Sequence, residues 1–152
     1  MIRSLIQKSA IAGLLLTSVV PAHAQSAPNP DRAAVQELIV RMGEGIQAGN
    51  FAAVDSLFPA RGLHILTDTL TLHGWAEYRD QHLKPEVARF SDLSFRHTAV
   101  EAVVRGDVAW VAFRQLINGT PSGDAPAVNG RATAVLERRE GRWLIVHLHV
   151  SR

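Results

Sequence analysis

Cysteine is absent from this sequence, which excludes a disulfide frame, a thiol nucleophile and a thiolate metal site, so the fold must hold by packing alone. Tyrosine is present once, as Tyr78. No block of like charges and no basic patch interrupts the chain, which argues against nucleic acid as a partner. No apolar stretch reaches the roughly 20 residues of a membrane-spanning helix. There is no internal repeat and no low-complexity tract.

What is present begins with a three-part leader. MIRSLIQKS carries Arg3 and Lys8, AIAGLLLTSVV is a short apolar run, and Ala22-His23-Ala24 is a small-x-small step. This is the layout of a signal peptide over residues 1–24, cut after Ala24. It predicts a periplasmic or secreted protein with no membrane attachment after cleavage. Removing Arg3 and Lys8 brings the 16 Lys+Arg level with the 14 Asp+Glu, so net charge says little about partners. Residues 25–30 read as a flexible Pro-rich leader, and residues 31–152 as one domain with one core.

Within that domain Asp31 is a plausible helix N-cap. Ala34, Leu38, Ile39, Met42 and Ile46 then recur at helical spacing until Gly49-Asn50. FAAVDSLF predicts a short second helix stopped by Pro59, and GLHILTDTLTLHG a bent strand or hairpin around Thr67-Asp68. WAEYRDQHL predicts a third helix that Pro85 interrupts. From Leu93 onward the pattern is of strands. LSFRHTAVEAVVR turns at Gly106-Asp107 into VAWVAFRQLI, NGTPSGDAP is a loop, and NGRATAVLERR turns at Glu140-Gly141 into WLIVHLHVSR. Helices followed by an antiparallel meander describe an α+β domain with helices on one sheet face. The strands carry apolar residues on both faces, which predicts a homodimer through the outer face.

The order of elements, with GWAEYRDQHLKPE in the third helix and GRATAVLERREGRWLIVHLHVSR at the end, resembles the nuclear transport factor two-like superfamily. The likeness is strongest to its small SnoaL-like bacterial proteins and to the association domain of calcium/calmodulin-dependent protein kinase. It spans about residues 31–152, and its most specific piece is Trp143, His147, His149 and Ser151 after Gly141-Arg142. The resemblance implies a cone: a strongly curved antiparallel sheet wraps the N-terminal helices and encloses a pocket, often in a dimer. Members of the superfamily include ketosteroid isomerase, polyketide cyclases, scytalone dehydratase, oligomerisation modules and ligand carriers, so fold alone does not fix function. The Asp base and Tyr/Asp pair of the steroid isomerases have no match here, because Tyr78 lies on the third helix and no Asp pair frames an apolar strand.

Strict alternation in the last strand places Trp143, Ile145, His147, His149 and Ser151 on one face and Leu144, Val146, Leu148 and Val150 on the other. In the cone, the two histidines then point into the pocket mouth. Trp75, Tyr78, Arg79 and His82 share a helix face at i, i+3, i+4 and i+7, which brings His82 toward His147 and His149. His97 shares a strand face with Phe95, Arg114 shares one with Trp110, and His64 and His73 flank the first strand pair. The candidate ligand-binding residues are therefore Trp75, Tyr78, Arg79, His82, His97, Trp110, Arg114, His147 and His149. Three readings of His82, His147 and His149 stand side by side. They bind a metal, which is a weak pattern without a carboxylate; one acts as general acid or base, with Arg79 or Arg114 holding an anionic group; or they are structural. Asp68 reads as a turn residue, and Gly130 as a bend in its strand. The expected function is an exported domain binding a small apolar or anionic molecule, without a cofactor and with catalysis open. The alternatives are a non-catalytic oligomerisation module and a histidine-based lyase or isomerase of the polyketide-cyclase type.

Overall fold

The structure, a computed structural model, describes residues 29–122 and 128–152. Residues 1–24, expected to be a signal peptide, and residues 25–28 of the expected leader lie outside the described residues. The last two leader residues open the first helix, α1 (Pro30–Gln47): Asn29, not Asp31, is its N-cap and accepts from Asp31 N–H at 3.0 Å. Pro30 suits the first turn, where no N–H is needed. Val35, Leu38, Ile39, Met42 and Ile46 form the buried stripe, whereas Ala34 is exposed. The chain leaves the helix through Gly49 at φ 66°, a left-handed turn that glycine takes without strain. Asn50 caps α2 (Phe51–Asp55).

A hairpin follows, β1 (His64–Leu66) and β2 (Thr71–Leu72), closed by Thr67 N–H on the Leu70 carbonyl at 2.9 Å. The third helix is longer than expected. It runs from α3 (Trp75–Tyr78) through a π-helical turn (Arg79–Leu83) into α4 (Lys84–Val87). Pro85 does not break it, because Pro85 falls in the first turn after the widened segment. Four long strands complete the chain: β3 (Phe90–Arg105), β4 (Val108–Pro121), β5 (Val128–Arg139) and β6 (Arg142–Ser151). Strand β4 runs on into the segment expected to be loop, as far as Pro121.

The strands form one curved, unclosed sheet in the order β2-β1-β6-β5-β4-β3. All pairs are antiparallel except β1 with β6, which is parallel. Bulges in β3, with Asp92 at φ 52° and Ala99 at φ 49°, bend that edge over α1. Side chains of α1 fasten it there: Gln36 Nε2 donates to the Val100 carbonyl at 2.7 Å, and Gln47 Oε1 accepts from Phe95 N–H at 3.0 Å. The core lies between α1 and the inner sheet face, where Phe95, Val111, Ile117, Leu136 and Ile145 are almost fully buried. Truncating one of these to alanine costs about 2–5 kcal/mol.

One feature corrects the strict alternation expected of β6. Val135 pairs with His147 and Leu136 with Ile145, so Val146 is an extra residue in a bulge. Before the bulge Trp143 and Ile145 face the core; after it Leu148 and Val150 do. A one-residue slip moves every later side chain to the other face. His147 and His149 therefore stand on the outer face, opposite Val135 and Thr133. The bulge falls where the neighbour of β6 changes: Ile145 N–H donates to the Leu57 carbonyl at 2.9 Å, and β1 pairs from His147 onward.

Candidate functional site

Three elements meet over the inner sheet face to enclose a cavity of about 220 Å³. The β1–β2 turn supplies Thr67, Asp68 and Thr69; the third helix supplies Tyr78, His82 and Glu86; the sheet supplies Gln115, Val150 and Arg152. The helix residues are spaced by four. In a regular α-helix this spacing drifts around the axis, and the π-helical turn between Tyr78 and His82 takes up the extra residue so that all three face inward. Such turns recur at functional sites. Gly130, the neighbour of Gln115 on β5, lets the end of β6 approach closely, since a Cβ there would come within 2.9 Å of the Ser151 carbonyl.

The polar groups form one connected set. The Arg152 guanidinium pairs with Glu86 Oε1, and the Arg152 N–H donates to Asp68 Oδ2 at 3.1 Å. His82 Nε2 is 4.0 Å from Glu86 Oε2, and the His82 ring lies 5.3 Å from that of Tyr78. Burial, with Glu86 nearby, pushes the Tyr78 phenol above its usual pKa, against the opposing pull of Arg152. Tyr78 is thus a neutral hydroxyl at physiological pH. The cavity offers a phenol, an imidazole, two carboxylates, an amide and one guanidinium within a small volume, a set able to orient a polar molecule and to move a proton.

The candidates from the sequence separate into three places. Tyr78 and His82 line the cavity. Trp75 and Arg79 do not; they fasten the helix to α2. Trp75 stacks on Phe58 at 4.2 Å and donates from Nε1 to Asp55 Oδ1 at 2.5 Å. Arg79 Nη1 donates to both Asp55 oxygens at 2.8 and 2.7 Å, and its Nε and Nη2 hold Asp80 at 2.9 and 2.6 Å. These bonds hold the Asp80 carboxyl well below its ordinary range. An arginine so occupied is not free to bind an anion.

The second place is beneath α1. His97 is 6% exposed, and its Nδ1 lies 2.9 Å from the Ile39 carbonyl. Burial holds its pKa down to about 4, only partly offset by Ile39 and Gln115. A wider groove of about 500 Å³ opens beside it between α1 and β3. Its Gln47 and His97 are already engaged in holding helix to strand, so the smaller, polar cavity is the better site.

The third place is the outer face. Trp110, 48% exposed, and Arg114 stand there, away from the helices. His147 sits between Val135 and His64 in the sheet, with His149 two residues on and the His73 ring 5.2 Å from that of His64. Burial first, then His149 and His64, lower the His147 pKa. The expected grouping of His82 with His147 and His149 is thus overturned by the bulge, which puts the sheet between them. Among the described residues no group of three or more His, Asp or Glu side chains is placed to hold a metal ion.

Asp68, Glu86, Gln115 and Arg152 were not expected as site residues. Gln115 carried a signal: it is the polar member of the inner-face series Ala109, Val111, Phe113, Gln115, Ile117. Glu86 continues the Tyr78–His82 spacing by four more residues.

The SnoaL-like domain family model matches residues 35–152. No curated protein matches the chain. Among solved structures, a nuclear transport factor two-like superfamily protein from Salmonella enterica serovar Typhimurium is similar at a TM-score of 0.68 and 19% identity, over 79% of this chain and 89% of that one. A proposed ketosteroid isomerase from Shewanella frigidimarina is similar at a TM-score of 0.63 and 22% identity, over 76% of this chain and 92% of that one. A proposed scytalone dehydratase from Novosphingobium aromaticivorans is similar at a TM-score of 0.67 and 13% identity, over 80% and 83%. At these identities the likeness is one of fold.

Proposed function

The chain belongs to the SnoaL-like domain family, and on that premise we propose that it is an exported protein that binds a small polar molecule in the cavity beneath the third helix. The observation that carries this reading is the convergence of Tyr78, His82, Glu86, Asp68, Gln115 and Arg152 on one cavity of about 220 Å³. That volume lies below the roughly 300–1,000 Å³ of drug-sized sites, so the ligand is a small metabolite rather than a steroid skeleton. Arg152, on the cavity wall beside Glu86, is the group that would meet an anionic substituent.

The second reading is catalytic. His82 beside Glu86 supports proton transfer to or from a bound molecule, a lyase or isomerase step. The names of two structural neighbours, a dehydratase and an isomerase, favour this class. The same test serves both readings. Native mass spectrometry after exposure to metabolite mixtures is expected to show a retained small molecule, with retention reduced by Glu86→Leu. Conversion of that molecule by the wild type and not by His82→Gln supports catalysis; retention without conversion supports a binder. Unchanged mass across broad mixtures overturns the pocket reading in favour of an oligomerisation module.

The assembly that goes with this function is a homodimer through the outer sheet face, where Val108 and Trp110 are exposed beside Val103 and Val135. Such a patch favours a second copy of the chain. Light scattering at micromolar concentration is expected to show a dimer that Trp110→Glu converts to monomer, and a monomeric wild type refutes it. Export is tested by N-terminal sequencing of the protein from the periplasm or medium, with Gln25 expected first.

A further inference from the structure

The cavity beneath the third helix is not balanced in charge. Its lining carries two carboxylates, Asp68 and Glu86, against one guanidinium, Arg152, and His82 counts as a cation only when protonated. The guanidinium is engaged with Glu86 Oε1. Glu86 is an enclosed carboxylate, its side chain 10% exposed, and an enclosed charge needs such a partner.

Asp68 has no counter-ion. Among the described residues no Lys, Arg or His side chain stands within ion-pair distance of it. The one protein hydrogen bond to its carboxylate, again among the described residues, comes from the Arg152 backbone N–H to Oδ2 at 3.1 Å. A carboxylate accepts about four hydrogen bonds, so most of its capacity is open to a molecule in the cavity.

The two carboxylates together decide which charge the cavity accepts. An anion entering alone adds to the negative surplus and competes with Glu86 for Arg152, leaving an enclosed carboxylate unpaired. A cation entering beside Asp68 meets a charged acceptor and breaks no existing ion pair. Val150 and the Tyr78 ring line the same space and give an alkyl body something to pack against.

We infer that the molecule taken up is a small amine whose ammonium group is bound by Asp68, and that an anionic substituent reaches Arg152 only in a molecule that also carries such an ammonium. This rests on the cavity being a binding site and names the ligand class for it. Asp68 is the residue that sets charge specificity.

The test uses probes built on one cyclohexyl ring: cyclohexylamine, cyclohexanol, cyclohexanecarboxylate and 1-aminocyclohexanecarboxylate. Each is titrated against the ¹⁵N-labelled protein at about pH 8, where an alkylammonium with a pKa near 10.4 stays charged and an ordinary imidazole, near 6.5, is neutral. Cyclohexylamine is expected to bind at least about tenfold more tightly than cyclohexanol, the value of one hydrogen bond to a charged group. The plain carboxylate should bind more weakly than either, and adding the amino group to it should restore binding. Asp68→Asn keeps an oxygen for the Arg152 N–H. It is expected to bring the amine-to-alcohol ratio below about threefold with the alcohol's affinity unchanged, which collapse of the cavity does not produce. In the wild type the same ratio should fall as salt is raised, since salt screens a pair open to solvent; this measurement needs no variant. A ratio indifferent to salt or to Asp68→Asn overturns the inference while the cavity reading stands. So does a carboxylate that binds as tightly without the amino group as with it. Binding of none of the probes overturns the cavity reading and the inference with it.

Discussion

On the inner face of the sheet His97 is sealed beneath α1, neutral, and tied to the Ile39 carbonyl. On the outer face His147 stands half-buried beside His64 and His149, and its pKa is lowered as well, by burial and by two neighbouring imidazoles. The direction of the shift is the same on both faces, but the consequence differs. A fully buried imidazole couples its proton to the stability of the whole fold. A half-exposed one settles its charge largely with solvent. Position on the sheet, more than residue type, decides whether a histidine is architecture or surface.

Moving the outer histidines inside is the most drastic way to break that comparison. Exchanging each outer histidine with the residue after it (His147→Leu with Leu148→His, and His149→Val with Val150→His) puts two imidazoles on the core face and two aliphatic side chains on the outer one. We expect a loss of more than about 4 kcal/mol, or failure to fold, because two imidazoles would be buried without partners and two aliphatic side chains exposed. Urea unfolding of the purified variant measures it. A variant that unfolds within about 1 kcal/mol of the wild type would show that the two faces of β6 do not differ in the way their burial implies.

The next effect is the pH dependence of stability. The folded-state pKa of His97, about 4, lies below its unfolded value of about 6.5. The unfolded chain therefore binds the proton more readily, and stability present above pH 6.5 declines as pH falls toward 4. The decline from this one group is on the order of 3 kcal/mol. Chemical denaturation at pH 7 and pH 4 should show that decline shrinking in His97→Phe, whereas His147→Ala leaves it nearly intact.

The smallest effect sharpens the outer side. His147→Ala should change stability by no more than about 0.5 kcal/mol. Titration of the imidazole protons by NMR should find His147 below its ordinary value and moving upward in His149→Gln and in His64→Gln, since both neighbours oppose its charge. An unmoved His147 in both variants would leave burial as the whole cause.

These contrasts also show which parts of the molecule could be read in the chain. The stripe of α1, the turns at Gly106 and Glu140-Gly141, and the α+β order were legible because each rests on local spacing or on φ preferences that a few residues carry. The faces of β6 were not. In WLIVHLHV nearly every position is apolar or aromatic, so periodicity tolerates a slip at Val146, and the choice is made by pairing with β5 and β1. Pro85 misled for a related reason, since a π-helical turn provides a tolerant position that local rules do not foresee. Of the cavity, Tyr78 and His82 were found by helix spacing, while Asp68 and Arg152 meet only through tertiary structure, 84 positions apart.

The parallel pairing of β1 with β6 carries a consequence for the order of assembly. His64 meets His147 only once the last strand of the sheet is in place, so the β1–β2 hairpin, made early in synthesis, has no sheet to join until then. Joining segments so far apart in sequence is slow. The β3–β4–β5 meander and α1 can consolidate first, and the turn holding Asp68 swings in afterward, drawn by Arg152. The cavity is therefore expected to be the last part of the protein to form as it folds, and the first to open as it unfolds.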